Sequence, residues 1–179
     1  MNRFIAGLLV LIAGSIHAQT VELTEVVGQP GGTATIDINY TAGANLASFS
    51  VQITYDDSAL TPQTDAAMNP NVNGCVANTP PSHTGAFTAC NNPSPGNIAL
   101  TVTDQFSGTA LPTTAPLGSI TFDINNGLSP GTVVPVELIF LSAADDGGTP
   151  IGSITLDNGS VTAEAPAGQG FYTSVPAPG

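Results

Sequence analysis

The chain has 179 residues, 13 acidic side chains and one basic one, Arg3, giving a formal net charge of −12 at pH 7. With no Lys or Arg after residue 3, phosphate backbones and anionic headgroups meet no counter-charge, which excludes nucleic-acid binding and direct anionic-membrane binding. Side-chain ion pairs with Lys or Arg go with them, so apolar burial and backbone hydrogen bonds must hold the fold.

Met1-Asn2-Arg3, the apolar run Phe4–Ile16 and the small residue Ala18 predict a signal peptide over 1–18, cut before Gln19. The protein is then secreted, extracellular or held at the cell surface. About 160 residues remain, enough for one domain with its own core. Abundant Thr, Val, Ile, Gly and Pro point to an all-β domain, here bounded at 19–164. Val21–Val27 reads as the first strand, ended by the turn Gly28-Gln29-Pro30-Gly31-Gly32. Thr33–Tyr40 alternates, with Ile36, Ile38 and Tyr40 on one face. Leu46–Tyr55 does the same, with Phe49, Val51, Ile53 and Tyr55 inward and Ser48, Ser50, Gln52 and Thr54 outward.

Cys75 and Cys90 are the only cysteines, and an even count in an exported chain predicts one disulfide. It would close a loop of about 15 residues and stabilise by roughly 3 kcal/mol. The Asn, Pro and Gly residues of 69–74 and 91–96 read as loop on both sides of it. Next come Ile98, Leu100 and Val102 facing in with Ala99, Thr101 and Thr103 facing out, then Leu117–Ile124 with Ile120, Phe122 and Ile124 inward. Val133–Leu141 is apolar on both faces, as a central or doubly covered strand would be. Ile151–Leu156 and Ser160–Ala163 meet at Asp157-Asn158-Gly159, which suits a tight turn or a bulge. Residues 165–179 are rich in Pro, Gly and Ala and read as a flexible tail. Antiparallel strands with one solvated face at this spacing predict a two-sheet sandwich.

Little in the chain suits catalysis. Asp56-Asp57 and Asp145-Asp146 are adjacent pairs, whose side chains diverge on a strand, and neither a nucleophile elbow nor a zinc motif appears. The chain therefore reads as a binding protein, not an enzyme, and needs no cofactor. Asp145-Asp146-Gly147-Gly148-Thr149 does offer hard oxygen donors of the kind calcium prefers. With no Trp, and with Tyr40 and Tyr55 in core positions, Phe87, Phe106, Phe171 and Tyr172 are the loop or tail aromatics left to stack on a glycan. A hydroxyl-rich sheet face beside a two-sided apolar strand suits a protein partner or subunit packing. Self-association of so acidic a chain would be favoured by salt or calcium.

Four segments, in order, resemble the cohesin domain family. Gln29-Pro30-Gly31-Gly32-Thr33 is similar to its Lys-Pro-Gly-Asp-Thr turn. Leu46 through Asp56 to Leu60 is similar to its third strand, with Asp57 where the family has Pro. Ala115-Pro116-Leu117-Gly118-Ser119-Ile120-Thr121-Phe122 and Leu156-Asp157-Asn158-Gly159-Ser160-Val161 match two later strands. The resemblance implies a nine-stranded jelly-roll β-sandwich, a fold shared with several carbohydrate-binding modules. It also implies capture of a dockerin-type protein within an extracellular polysaccharide-degrading assembly. In such relatives the docking face uses strands three, five, six and eight, with Asn and Asp where this chain has Ser48 and Ser50. The expected binding face here is Ser48, Ser50, Gln52, Thr101, Thr103 and Asp104. Two other readings stand beside it: a self-assembling cell-surface or matrix protein, and direct polysaccharide binding through the Phe87 and Phe106 loops. If Arg3 leaves with the signal peptide, trypsin finds no site in the mature protein. Intact-mass analysis after digestion should then return one undigested species.

Overall fold

A computed structural model describes residues 19–41, 46–63, 86–104, 111, 116–152 and 154–165, without the side chains at 86–88, 92, 93 and 104. Eleven strands run through these residues, with no helix among them: β1 (Thr20–Leu23), β2 (Glu25–Gly28), β3 (Thr33–Thr41), β4 (Leu46–Tyr55), β5 (Leu60–Pro62), β6 (Ala86–Ser94), β7 (Asn97–Asp104), β8 (Gly118–Ile124), β9 (Val133–Asp145), β10 (Thr155–Asp157) and β11 (Gly159–Ala163). They form a sandwich of a five-stranded sheet, β10-β1-β3-β8-β5, and a six-stranded sheet, β2-β11-β9-β4-β7-β6.

The period-two pattern sets which side chains go in. Ile36, Ile38 and Tyr40 of β3, and Ile120, Phe122 and Ile124 of β8, meet Phe49, Val51 and Ile53 of β4 and Ile98, Leu100 and Val102 of β7 in one core. Tyr55 of β4 and Phe122 of β8 join the sheets edge to face, with ring centroids 5.1 Å apart and planes at 60°. Asp56 closes the β4–β5 turn. Its Oδ1 accepts from Ser58 Oγ at 2.6 Å and Ser58 N at 2.9 Å, and these bonds hold its carboxyl below the usual aspartate range.

The architecture corrects the sequence reading at several points. Both sheets are mixed, not antiparallel throughout, because β1 pairs parallel with β10 and β2 parallel with β11. The described residues form eleven strands where the resemblance implies nine, because the first and last runs each break and change sheet. At the first break Thr24 N donates to Asp37 O (3.1 Å) while Thr24 Oγ1 accepts from Asp37 N (2.9 Å), so β3 keeps its backbone groups satisfied as the strand departs. At the second, Asn158 Oδ1 accepts from Leu138 N (2.8 Å) on β9. Asp157-Asn158-Gly159 is thus a passage between sheets, and neither Asn158 nor Gly159 takes a positive φ. The segment read as loop around 91–96 is strand as far as Ser94, with a register shift between Asn91 and Ser94 and a turn at Pro95-Gly96 where Gly96 has φ 76°. β5, three residues long, went unread. Signal peptide 1–18, Cys75 and tail positions 166–179 lie outside the described residues.

The two passages touch. A Cβ on Gly159 would sit 2.6 Å from Thr24 O and 2.7 Å from Leu23 Cβ, closer than atoms pack without a shift. Gly159→Ala should destabilise the fold by about 1–3 kcal/mol in urea denaturation. Gly152→Ala, whose added methyl meets nothing within 4 Å, should leave the midpoint within the range of ordinary surface substitutions, about 0.5 kcal/mol.

Candidate functional site

The two outer faces of the sandwich differ in chemistry. That of the five-stranded sheet presents hydroxyls and four carboxylates, Glu22, Asp37, Asp123 and Asp157. Thr35 Oγ1 and Thr121 Oγ1 share a hydrogen bond of 2.9 Å there, and Gln63 Nε2 donates to Asp123 Oδ1 at 2.8 Å. Among the described residues, the exposed large apolar side chains lie on the other sheet: Val27 (63% exposed) on β2, and Val133 (59%), Ile139 (45%) and Leu141 (53%) on β9.

Register builds the second face row by row. Across β9, β4, β7 and β6 run Glu137, Thr54, Asn97 and Ser94; then Ile139, Gln52, Ala99 and Asn91; then Ser142, Ser50, Thr101 and Ala89. The fourth row is Ala144, Ser48 and Thr103, with Phe87 at the matching register position of β6. A register shift falls between the Ser50–Ser142 and Val51–Phe140 pairs, so Leu141 is an extra residue on β9, and a bulge of this kind re-aims side chains locally. Ser50 Oγ and Thr101 Oγ1 share a hydrogen bond of 2.8 Å. Gln52 Nε2 donates to Asn97 Oδ1, and Asn97 Nδ2 donates to Ser94 Oγ (3.2 Å) and Pro95 O (3.4 Å). Among the described side chains of these four strands' outer face, Glu137 is the one carboxylate.

Ser48, Ser50, Gln52, Thr101 and Thr103 therefore share one face, although Thr103 is only 9% exposed. Asp104 ends β7 opposite Ala86, and its side chain lies outside the described set. Ile139, Leu141 and Asn97 were missing from the expected face. The apolar outer positions of Val133–Leu141 carried a signal for the first two. β9 is indeed central in its sheet, but its outer face is open to solvent at Val133, Ile139 and Leu141. Asn97 enters through lateral register, which a single strand does not display.

Asp145 Oδ1 accepts from Thr149 N (2.7 Å) and Gly147 N (3.0 Å), and Gly148 N donates to Asp145 O (3.0 Å) with Gly148 at φ 78°. The Asp145-Asp146 turn is thus shaped by its own carboxylate. Among the described residues, no group of three or more His, Cys, Asp or Glu is placed to hold a metal ion. Cys90 is buried on β6 opposite Leu100. Phe106 lies outside the described residues, as does the side chain of Phe87. The face can bury apolar area and exchange neutral hydrogen bonds. Among its described side chains, no nucleophile stands beside a base.

A family model described as Cohesin domain matches residues 19–163. Among solved structures the chain is similar to the sixth cohesin of Acetivibrio cellulolyticus scaffoldin B, solved in complex with a mutant Cel5 dockerin. The identity is 17% and the TM-score 0.67, covering 83% of this chain and all of that one. The seventh ScaB type I cohesin of Pseudobacteroides cellulosolvens matches at 17% identity and TM-score 0.66, over 85% of this chain and 96% of its own. A non-cellulosomal cohesin from the archaeon Archaeoglobus fulgidus matches at 9% and 0.64, over 83% and 93%. At these identities the likeness is one of fold. No curated protein sequence matches the chain.

The Ser50–Thr101 pair ties β4 to β7 on this face. Ser50→Ala and Thr101→Ala should each cost about 0.5–1.5 kcal/mol in urea denaturation, and the double variant less than the sum of the two. Additive losses would show that the two hydroxyls do not interact.

Proposed function

The chain belongs to the cohesin family, and from that membership we propose that it is an exported, non-catalytic docking module for a dockerin-type protein. The contact surface is the outer face of β9, β4, β7 and β6. If the split first and last runs are each counted once, these are the third, fifth, sixth and eighth strands, those that the family resemblance assigns to docking. The observation that carries the reading is the contrast between the two outer faces. One carries Glu22, Asp37, Asp123 and Asp157, while the other has its described carboxylates, Glu25 and Glu137, on β2 and β9 and joins the exposed Ile139 and Leu141 to a hydroxyl and amide surface on β4 and β7. Interfaces draw their affinity from a few desolvated apolar anchors inside a polar surround. Within this reading Ser48, Ser50, Gln52, Thr101, Thr103 and Asp104 are contact positions, the Cys75–Cys90 disulfide braces the segment before β7, and the partner belongs to a polysaccharide-associated extracellular assembly.

One observation favours a second reading. Val27 and Val133 flank Thr162 at the β2 end of the same sheet and would suit self-association into a surface layer. Direct glycan binding would rest on Phe87 and Phe106, whose side chains lie outside the described set.

Affinity capture from the producer's secreted fraction tests the proposal, with the mature domain as bait. A dockerin-type protein, which folds around calcium, should be retained in calcium and released by chelator. Ile139→Ser combined with Leu141→Ser should weaken that binding about 10- to 100-fold, the loss expected for two half-exposed apolar side chains. Retention indifferent to both chelator and the double substitution would refute it.

A further inference from the structure

We propose that this face selects a partner whose contacting surface is itself uncharged, with apolar side chains against Ile139 and Leu141 and hydroxyl or amide groups over the Ser50–Thr101 and Gln52–Asn97 pairs. The inference rests on the docking reading above and specifies the chemistry of its partner. Of the chain's 13 carboxylates, Glu137 alone appears among the described side chains of the four-strand face, in the row nearest the Pro95-Gly96 turn. The described side chains of the three rows beyond it carry no formal charge, and Asp104 follows the last of them at the end of β7, at the margin of the contact.

The polar groups there are also largely engaged with one another. Ser50 and Thr101 share a hydrogen bond of 2.8 Å, and Gln52 donates to an Asn97 that itself donates to Ser94 and Pro95. A Lys or Arg pressed onto these rows would lose its water and meet no counter-charge, an uncompensated burial. An Asp or Glu would lose its water likewise, against a domain of strongly negative net charge. Topography points the same way. Ile139 and Leu141 stand on β9, while β7 offers the small Ala99 in the row of Ile139 and β6 the small Ala89 in the row of Ser142, next to Leu141. A partner can lower an apolar ridge onto that step without burying a charge. The acidic body still attracts cationic proteins at long range, and the neutral contact rejects them on arrival. Specificity then comes from what is refused as well as from what is held.

The test is a display library of dockerin-type domains on a scaffold of near-zero net charge, randomised at the contact positions and selected against the immobilised mature domain. Selected binders should be depleted in Lys, Arg, Asp and Glu at those positions. Their affinity should change less than about threefold between 50 and 500 mM NaCl, and Ile139→Ser with Leu141→Ser should weaken it more than about tenfold. Reselection against the Ser50→Asp domain should restore Lys and Arg at the contact positions. Binders to the unaltered domain that are rich in Lys and Arg, lose affinity about tenfold in salt and still depend on Ile139 and Leu141 would overturn the inference while leaving the docking face standing. Binders indifferent to the Ile139 and Leu141 substitutions, or no binders, would overturn the docking reading and the inference with it.

Discussion

Closure of this sandwich depends on one steric meeting. The first and last strand runs both leave the five-stranded sheet for the six-stranded one, side by side, where Gly159 packs against Leu23 and the Thr24 carbonyl. Only a residue without Cβ allows so close an approach. Thr24 and Asn158 then supply the hydrogen bonds that the breaking ladders would otherwise lose. Because each run serves both sheets, the layers are joined by continuous backbone as well as by the Tyr55–Phe122 contact and the rest of the core.

The lack of cations shapes the surface as it shapes the fold. Carboxylates with no partner of opposite charge are tolerable where water reaches them, and they stand on the five-stranded sheet's outer face and in turns such as Asp56-Asp57 and Asp145-Asp146. What they leave on β4 and β7, from Asn97 to Thr103, is a field whose described side chains are neutral, with Ile139 and Leu141 beside it and Glu137 at its edge. Repulsion and desolvation would oppose docking elsewhere on the body, so that field is where contact is least opposed.

Much of the fold was legible because strand alternation is a local code. Ile36, Ile38 and Tyr40, and again Phe49, Val51, Ile53 and Tyr55, are all buried as their spacing requires. Where neighbours decide the outcome, spacing was insufficient. The alternation of the first run slips at Thr24, where Glu25 takes the position after Leu23 that would point inward, but the change of sheet itself follows from partners that are distant in sequence. β6 holds Asn91-Asn92-Pro93 and reads as loop until its pairing with β7 is known. For the site, the outward hydroxyls of β4 and β7 were readable one strand at a time. The exposure of Ile139 and Leu141 and the Gln52–Asn97 bond depend on lateral order, and a two-sided apolar strand does not announce whether its second face is covered.

The parallel pairing of the first and last runs has a mechanical consequence. Thr20 lies beside Thr155 and Gly28 beside Ala163, so the chain enters at one end of the sandwich and leaves at the other, about 30 Å away along the strands. Tension applied through the two ends would load the β1–β10 and β2–β11 hydrogen bonds together in shear instead of opening them one at a time. The same strands that close the fold lie in line with that load.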